Sequence, residues 1–378
     1  MVSHLGCIGN DMRSHIDRFN NFYAGKRVLI TGHTGFKGSW LSLWLHELGA
    51  EVVGVGLEPY TEKDNFVLSG IGSKIYADLR ADIRDAQAMQ RIFDTYQPEI
   101  VFHLAAQPLV RYSYEEPVMT WETNVMGTIH VMEAFRKCFS AKVAVMITTD
   151  KCYENREQHH AYTEDEPMGG YDPYSSSKGA DEIAISSWRR SFMNPAEYAK
   201  HGKSIASVRA GNVIGGGDWA KDRIIPDCIR AIEANEPIKI RNRHAVRPWQ
   251  HVLEPLRGYM MLAQKMWESP TEYCEGWNFG PKMDVVVPVW DVANDLVELY
   301  GKGLLIDQTD PNAAHEANLL MLDSSKAFTR LNWCPYLRTR ESVALTVDWY
   351  KRYRDKVVYE LCVDEIKMFL KIGEELSK

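Results

Sequence analysis

Between residues 26 and 214 short apolar runs recur, and most are followed by a longer stretch with helical spacing of its apolar positions. Residues 27–30, 52–57, 76–79, 100–104, 143–148 and 205–209 read as strands, and helices are predicted after Gly38, up to Tyr96, over 124–137 and from Tyr174 to Ser191. Runs that are apolar throughout, rather than alternating, belong to strands covered on both faces. Strand alternating with helix predicts an α/β chain built on a doubly wound parallel sheet. Residues 154–172 are polar, with Pro167 and a Gly169-Gly170 pair, and read as a long surface loop. Beyond Gly217 the alternation becomes irregular: a helix over 224–234, a strand at 237–241, then segments at 253–267, 277–280, 290–300 and 342–353 predict a smaller, mainly helical lobe. The expected organisation is a polar extension over residues 1–24, a first domain over 25–214, and a second lobe over 215–378 from which segments near 245–255 return to the first.

The first strand runs into Gly32-His33-Thr34-Gly35-Phe36-Lys37-Gly38. In a strand-turn-helix unit of the Rossmann type, Gly32 allows the tight turn, Gly35 lets a pyrophosphate approach the backbone, and Gly38 permits close helix packing. The helix N-terminus then faces the anion with unpaired N-H groups. Glu58 closes the second strand, where a carboxylate holds an adenosine ribose and repels a 2'-phosphate, so the expected cofactor is NAD rather than NADP. Asp82 and Ile83 are expected over the adenine, with a helix cap at Asp82 or Asp85 as an alternative. Leu104, Ala105 and Ala106 end the fourth strand in small residues across which a ligand can lie. Thr34, Phe36, Lys37, Asn124 and Thr148 complete the expected cofactor contacts. His103, inside an apolar run, is read as a core histidine.

The 378 residues are 45% hydrophobic and 25% charged, the makeup of a folded globular chain. A formal net charge of -7 argues against nucleic acid as partner, so an anionic ligand must be met by local arginines. Arg241, Arg243 and Arg247 supply such a group. Seven cysteines without a CxxC pair predict reduced thiols, no metal site and a cytoplasmic protein. No run reaches the roughly 18 apolar residues of a membrane span.

Two polar clusters then carry the chemistry. The fifth strand ends in Thr149-Asp150-Lys151, and Tyr174 and Lys178 stand four apart on a predicted helix. That spacing puts both on one face, where the cation favours the tyrosinate a general base needs, although spacing alone also fits an incidental amphipathic pair.

The glycine turn together with Tyr174-x-x-x-Lys178 resembles the extended short-chain dehydrogenase/reductase superfamily. Thr149-Asp150 resembles the tip of its nucleotide-sugar 4,6-dehydratases, with Lys151 where most of these have glutamate. Joined to Gly211-Asn212-Val213-Ile214-Gly215-Gly216-Gly217-Asp218-Trp219 and Arg247-Pro248-Trp249-Gln250-His251-Val252, it is most similar to the CDP-glucose 4,6-dehydratases. The resemblance implies an internal hydride cycle on NAD. In it Tyr174 takes the C4 hydroxyl proton, Lys178 lowers the pKa of Tyr174 and holds the nicotinamide ribose, Thr149 bonds the reacting hydroxyl, and Asp150 protonates the departing C6 hydroxyl. Lys151 stands either as base at C5, in its neutral form, or as a stabiliser of the C4 enolate. The substrate would be a nucleotide-diphosphate sugar, CDP-glucose, in deoxysugar or O-antigen synthesis, met by Gln107, Arg111, Asn212, Arg223 and Arg247. His251 is assigned to packing. A homo-oligomer, dimer or tetramer, is expected. The alternatives are a 4-epimerase, which needs no acid at C6, a 4,6-dehydratase for GDP-, UDP- or dTDP-sugars, and a nucleotide-binding protein without turnover.

Overall fold

The computed structural model describes residues 19–281, 287–309 and 319–376. Its centre is a seven-stranded parallel sheet of β1 (Arg27–Thr31), β2 (Glu51–Gly56), β3 (Ala77–Arg80), β4 (Ile100–His103), β5 (Val143–Ile147), β6 (Ser204–Ala210) and β7 (Gly276–Phe279). The spatial order is β7-β6-β5-β4-β1-β2-β3, so the direction of winding reverses between β1 and β4. At such a switch point the loops leave the carboxyl ends to opposite sides and open a crevice.

Strand periodicity sorts the side chains to two faces. Val28, Ile30 and Val52 point to a core shared with Trp40, Leu256 and Phe369, whereas Leu29, Val53 and Val101 meet Phe93, Val131 and Ile185. The first face is covered by α1 (Phe36–Glu47) and the second by α2 (Ala86–Tyr96), α3 (Gly127–Lys137) and α4 (Pro173–Ser191). Helix α1 is buried on all sides from Gly38 to Leu45, which explains the apolar run Trp40 to Leu45, interrupted by Ser42, whose hydroxyl donates to the Gly38 carbonyl at 2.8 Å. Helices α5 (Leu253–Glu268) and α6 (Val358–Leu376) lie on the same side, and Phe369 packs edge-on against Trp44.

Two segments depart from the expected layout. The run at 277–280 was expected in the smaller lobe, yet Gly276–Phe279 pairs with Ser207–Ala210 and forms an edge of the central sheet. Its in-plane backbone groups need a partner, and β6 offers its open side. Helix 124–137 begins instead as a π-turn over Glu122–Met126. Gln250–His251 pairs in parallel with Val213–Ile214. At the start of the chain, Phe19 and Tyr23 are buried and the Tyr23 hydroxyl donates to the Met260 carbonyl at 2.7 Å, so residues 19–24 pack on α5. Residues 1–18 of the expected extension lie outside the described residues.

Candidate active site

A cleft of about 1180 Å³ runs along the carboxyl ends of β1, β2, β4 and β5 and continues under the lobe. Its floor is the glycine turn. Gly32 has φ +75°, and a Cβ there would stand 2.7 Å from the Ala105 nitrogen. A Cβ on Gly38 would collide with the Gly32 carbonyl. Helix α1 starts at Gly35 with no side chain capping it and no acidic residue in its first turn. These are the requirements of a pyrophosphate cradle, and a dinucleotide fits them.

Thr34, Phe36, Leu104, Ala105 and Ala106 line that cradle. Farther out stand Glu58, whose carboxylate is 3.0 Å from Arg80 Nε, and Asp82 and Ile83. Asp82 accepts from Arg84 at 2.7 Å, which holds its carboxyl below the usual range. The cap of α2 falls to Asp85, whose side chain accepts from Ala88 N.

Of three further expected cofactor contacts, one stands away from the cleft and two line it with their polar atoms engaged elsewhere. Asn124 does not reach the cleft: the π-turn aims its amide at Gln107, accepting from Gln107 N at 2.8 Å and donating to Ser177 Oγ at 2.8 Å. Thr148 lines the cleft, but its hydroxyl donates to Glu182 at 2.5 Å, below the floor. Lys37, half-buried, also lines the cleft, but its ammonium donates to the Tyr259 hydroxyl at 3.2 Å. Burial, then Arg223 and Lys178, push Lys37 down to about 7.

At the end of β5 a single 3₁₀ turn, Asp150–Cys152, is capped by Thr149. Asp150 is buried, with one oxygen accepting from Thr149 Oγ1 at 2.9 Å and the other unbonded among the described residues. Lys151 is half-buried and lines the same cleft. Helix α4 starts at Pro173, capped by Asp172 accepting from Ser175 N, and this brings Tyr174 and Lys178 opposite the tip. Burial raises Tyr174, while Lys178 and the Thr149 hydroxyl beside it pull it back.

Beneath both elements lies a buried network. Glu182 accepts from Thr148, from Ser207 at 2.6 Å, and from Arg209 Nε and Nη2 at 2.9 Å each. Arg209 Nη1 donates to the Tyr153 hydroxyl at 2.6 Å, which donates to Asn278 at 2.7 Å. The network ties α4, β5, β6 and β7 together. Sequence reasoning missed it, as it missed Asp181, whose carboxylate is 2.8 Å from the Lys178 ammonium. The spacing of three on a helix was the available signal.

Of the expected substrate residues, Gln107, Arg111, Asn212, Arg223 and Arg247 all border the cleft. The Gln107 amide is spent on Thr120 and on its own loop. Arg111 lies 3.8 Å from Asp222, and Arg223 donates to Asp218 at 3.3 Å. Arg247 is buried and donates to the Val246 carbonyl, and Asn212 Oδ1 is buried without a partner among the described residues. Arg241 pairs with Asp222 and Asp227, and Arg243 with Asp307 over the face of Trp290. His103 is buried between Thr31 and Thr128, and His251 faces Glu365 at 3.0 Å.

The family model of the GDP-mannose 4,6 dehydratases matches residues 29–346. A CDP-glucose 4,6-dehydratase of Salmonella typhimurium is 50% identical over 333 residues, covering 88% of this chain and 92% of the relative. A dTDP-glucose 4,6-dehydratase of the same organism is 27% identical over 345 residues, with 86% and 92% covered. Among solved structures, a dTDP-glucose 4,6-dehydratase of Streptomyces venezuelae with NAD and TYD bound superposes with a TM-score of 0.73 at 21% identity, covering 87% of this chain and 98% of that one. A UDP-glucose 4-epimerase of Thermotoga maritima does so with 0.70 at 23%, covering 87% and 100%. The same sheet and lobe thus carry two different reactions.

Proposed function

We infer the reaction from the family to which this chain belongs, that of the GDP-mannose 4,6 dehydratases. The chain is an NAD-dependent nucleotide-sugar 4,6-dehydratase that converts CDP-glucose to CDP-4-keto-6-deoxyglucose and water. The observation that carries this reading is Asp150-Lys151 standing opposite Tyr174 and Lys178 in one cleft, in a chain half identical to a CDP-glucose enzyme. An epimerase has no use for an acid at C6, and Asp150 is a buried carboxyl with one oxygen open to donate or accept.

The glycine turn, Thr34, Phe36, Leu104, Ala105 and Ala106 would hold the dinucleotide, with Glu58 toward its adenosine ribose and Asp82 and Ile83 over its adenine. NAD when bound supplies the hydride acceptor for C4 and the donor for C6. Tyr174 takes the C4 hydroxyl proton, the Lys178 ammonium favouring its phenolate against the upward pull of burial. Thr149 orients that hydroxyl. The C4 ketone acidifies C5-H, which turns elimination into an enolate-type step. Asp150 hands a proton to the departing C6 hydroxyl, and Lys151 removes the C5 proton or steadies the enolate. Arg247, Arg223, Arg111 and Asn212 meet the diphosphate and sugar, Gln107 shaping the wall beside them. The working form is a homo-oligomer, a reading supported by Val118, Trp121, Met126 and Ile183 standing exposed on neighbouring helices, and its place is the cytoplasm, where free thiols such as Cys138 and Cys152 stay reduced.

The test is incubation with NAD and, separately, CDP-, UDP-, GDP- and dTDP-glucose, with mass spectrometry for the loss of one water. CDP-glucose is expected to give the product fastest. Turnover of another sugar nucleotide in its place would reassign the substrate, and C4 epimer without water loss would reassign the reaction.

A further inference from the structure

Lys37 and Lys178 both line the cleft, Lys37 half-buried and Lys178 buried, and they differ in company. Lys37 has the Tyr259 hydroxyl at 3.2 Å and no carboxylate at ion-pair distance among the described residues, and burial brings it to about 7. Lys178 has Asp181 at 2.8 Å, both side chains nearly inaccessible at 3% and 1%. Burial pulls Lys178 down as well, but Asp181, then Tyr174 and Glu182, outweigh it and leave it above the ordinary lysine value.

The ionisable groups facing Lys178 can be taken one by one. On its own helix are Tyr174, Asp181 and Glu182; His103 faces it from β4 and Lys37 from α1. Glu182 is spent on Arg209, Thr148 and Ser207. His103 is pushed to about 3 by burial and by Lys178, so it is neutral, and Lys37 opposes a second positive charge. Asp150, across the cleft at the tip of β5, accepts from Thr149, so Asp181 is the carboxylate at ion-pair distance. Stability alone is a poor account of it, since burying an ion pair is commonly no better than burying an apolar residue of like volume.

We propose that Asp181 is the positioning residue that keeps the buried Lys178 an ammonium, fixed behind the Tyr174 phenol, across the pH range in which that phenol works. The inference rests on the reading of Tyr174 and Lys178 as base and cation. Asp181 occupies one of the three ammonium donors and leaves two for the phenol and a ribose.

The test compares wild type with Asp181→Asn and Asp181→Glu. Protein labelled at lysine Cε is titrated by carbon NMR, the Lys178 signal being assigned as the one lost in Lys178→Arg. The Lys178 midpoint is expected to fall by about 2 units or more in Asp181→Asn and to stay high in Asp181→Glu. The C4 oxidation rate, read as transient NADH absorbance, should fall roughly tenfold in Asp181→Asn between about pH 7 and pH 9 while the wild-type rate holds. An unchanged Lys178 midpoint in Asp181→Asn, or a loss of rate by the same factor at every pH, would overturn the proposal. Should neither variant fold, the wild-type titration decides: a Lys178 midpoint near that of Lys37 refutes it, one above the ordinary lysine value sustains it. The NMR readout needs no turnover, so an absence of product from every sugar nucleotide would sink the dehydratase reading and leave this one standing.

Discussion

Lys151 is the residue on which the chemistry turns, because it stands at the strand tip beside Asp150 and is half-buried in the cleft that holds Tyr174. Lys151→Met should abolish water loss while leaving C4 oxidation visible as NADH absorbance; full turnover by the variant would remove Lys151 from the mechanism. Arg247 is buried along the same wall, and Arg247→Ala should raise the KM for the sugar nucleotide by about 2 kcal/mol, roughly 30-fold, with kcat less affected. An unchanged KM would take it out of the site. At this scale the sequence was most legible where residue type and spacing together demand a chemistry, as for Gly32, Gly38, Tyr174 and Lys178. It was least legible where a polar side chain has two possible clients. Asn124 and Thr148 are near the cofactor cleft in sequence logic, yet their amide and hydroxyl serve Gln107 and Glu182, and only the packed backbone decides which client wins.

Elements are held in register by polar groups that no local pattern announces. Glu182 and Arg209 join α4 to β6, and Arg209 holds Glu182 down at about 2 against the upward pull of burial. A carboxylate depressed in the folded state stabilises fully above its unfolded value, about 4.5, and loses that contribution as pH falls through about 2. Glu182→Gln leaves Arg209 buried and unpaired, so it should cost about 3–5 kcal/mol at neutral pH, and the gap from wild type in urea unfolding should narrow as pH drops below that upper value. A pH-independent gap would show that the charge of Glu182 is not what stabilises. At the other end of the cleft, Gly38→Ala drives a methyl into the Gly32 carbonyl. NAD affinity should fall at least about tenfold by calorimetry, with the turn displaced and the far core retained. The strands themselves were readable because buried parallel strands are apolar throughout. The π-turn at 122–126 was not, since its periodicity differs from a helix by one residue in a single turn.

For the whole molecule, the doubly wound sheet followed from the alternation of runs, whereas membership of its edge did not. Gly276–Phe279 is short and lies after an irregular stretch, and nothing local distinguishes a strand that joins β6 from one that stays in the lobe. Helix α6 lies beyond the last segment predicted from the sequence, and the fold shows it closing over Trp44 through Phe369. Phe369→Ala should cost about 3–5 kcal/mol, measured by urea unfolding, because it empties space against a fully buried helix. The late return of β7 and α6 also has a bearing on synthesis. The edge of β6 stays unsatisfied until residues 276–279 have been made, and the apolar flank of α1 stays wet until 358–376 follow, so the dinucleotide-binding half is no transplantable cassette. A chimera cut at residue 214 would export an open sheet edge, whereas one that keeps 253–279 and 358–376 with the first half would carry its own lid and its own selvedge.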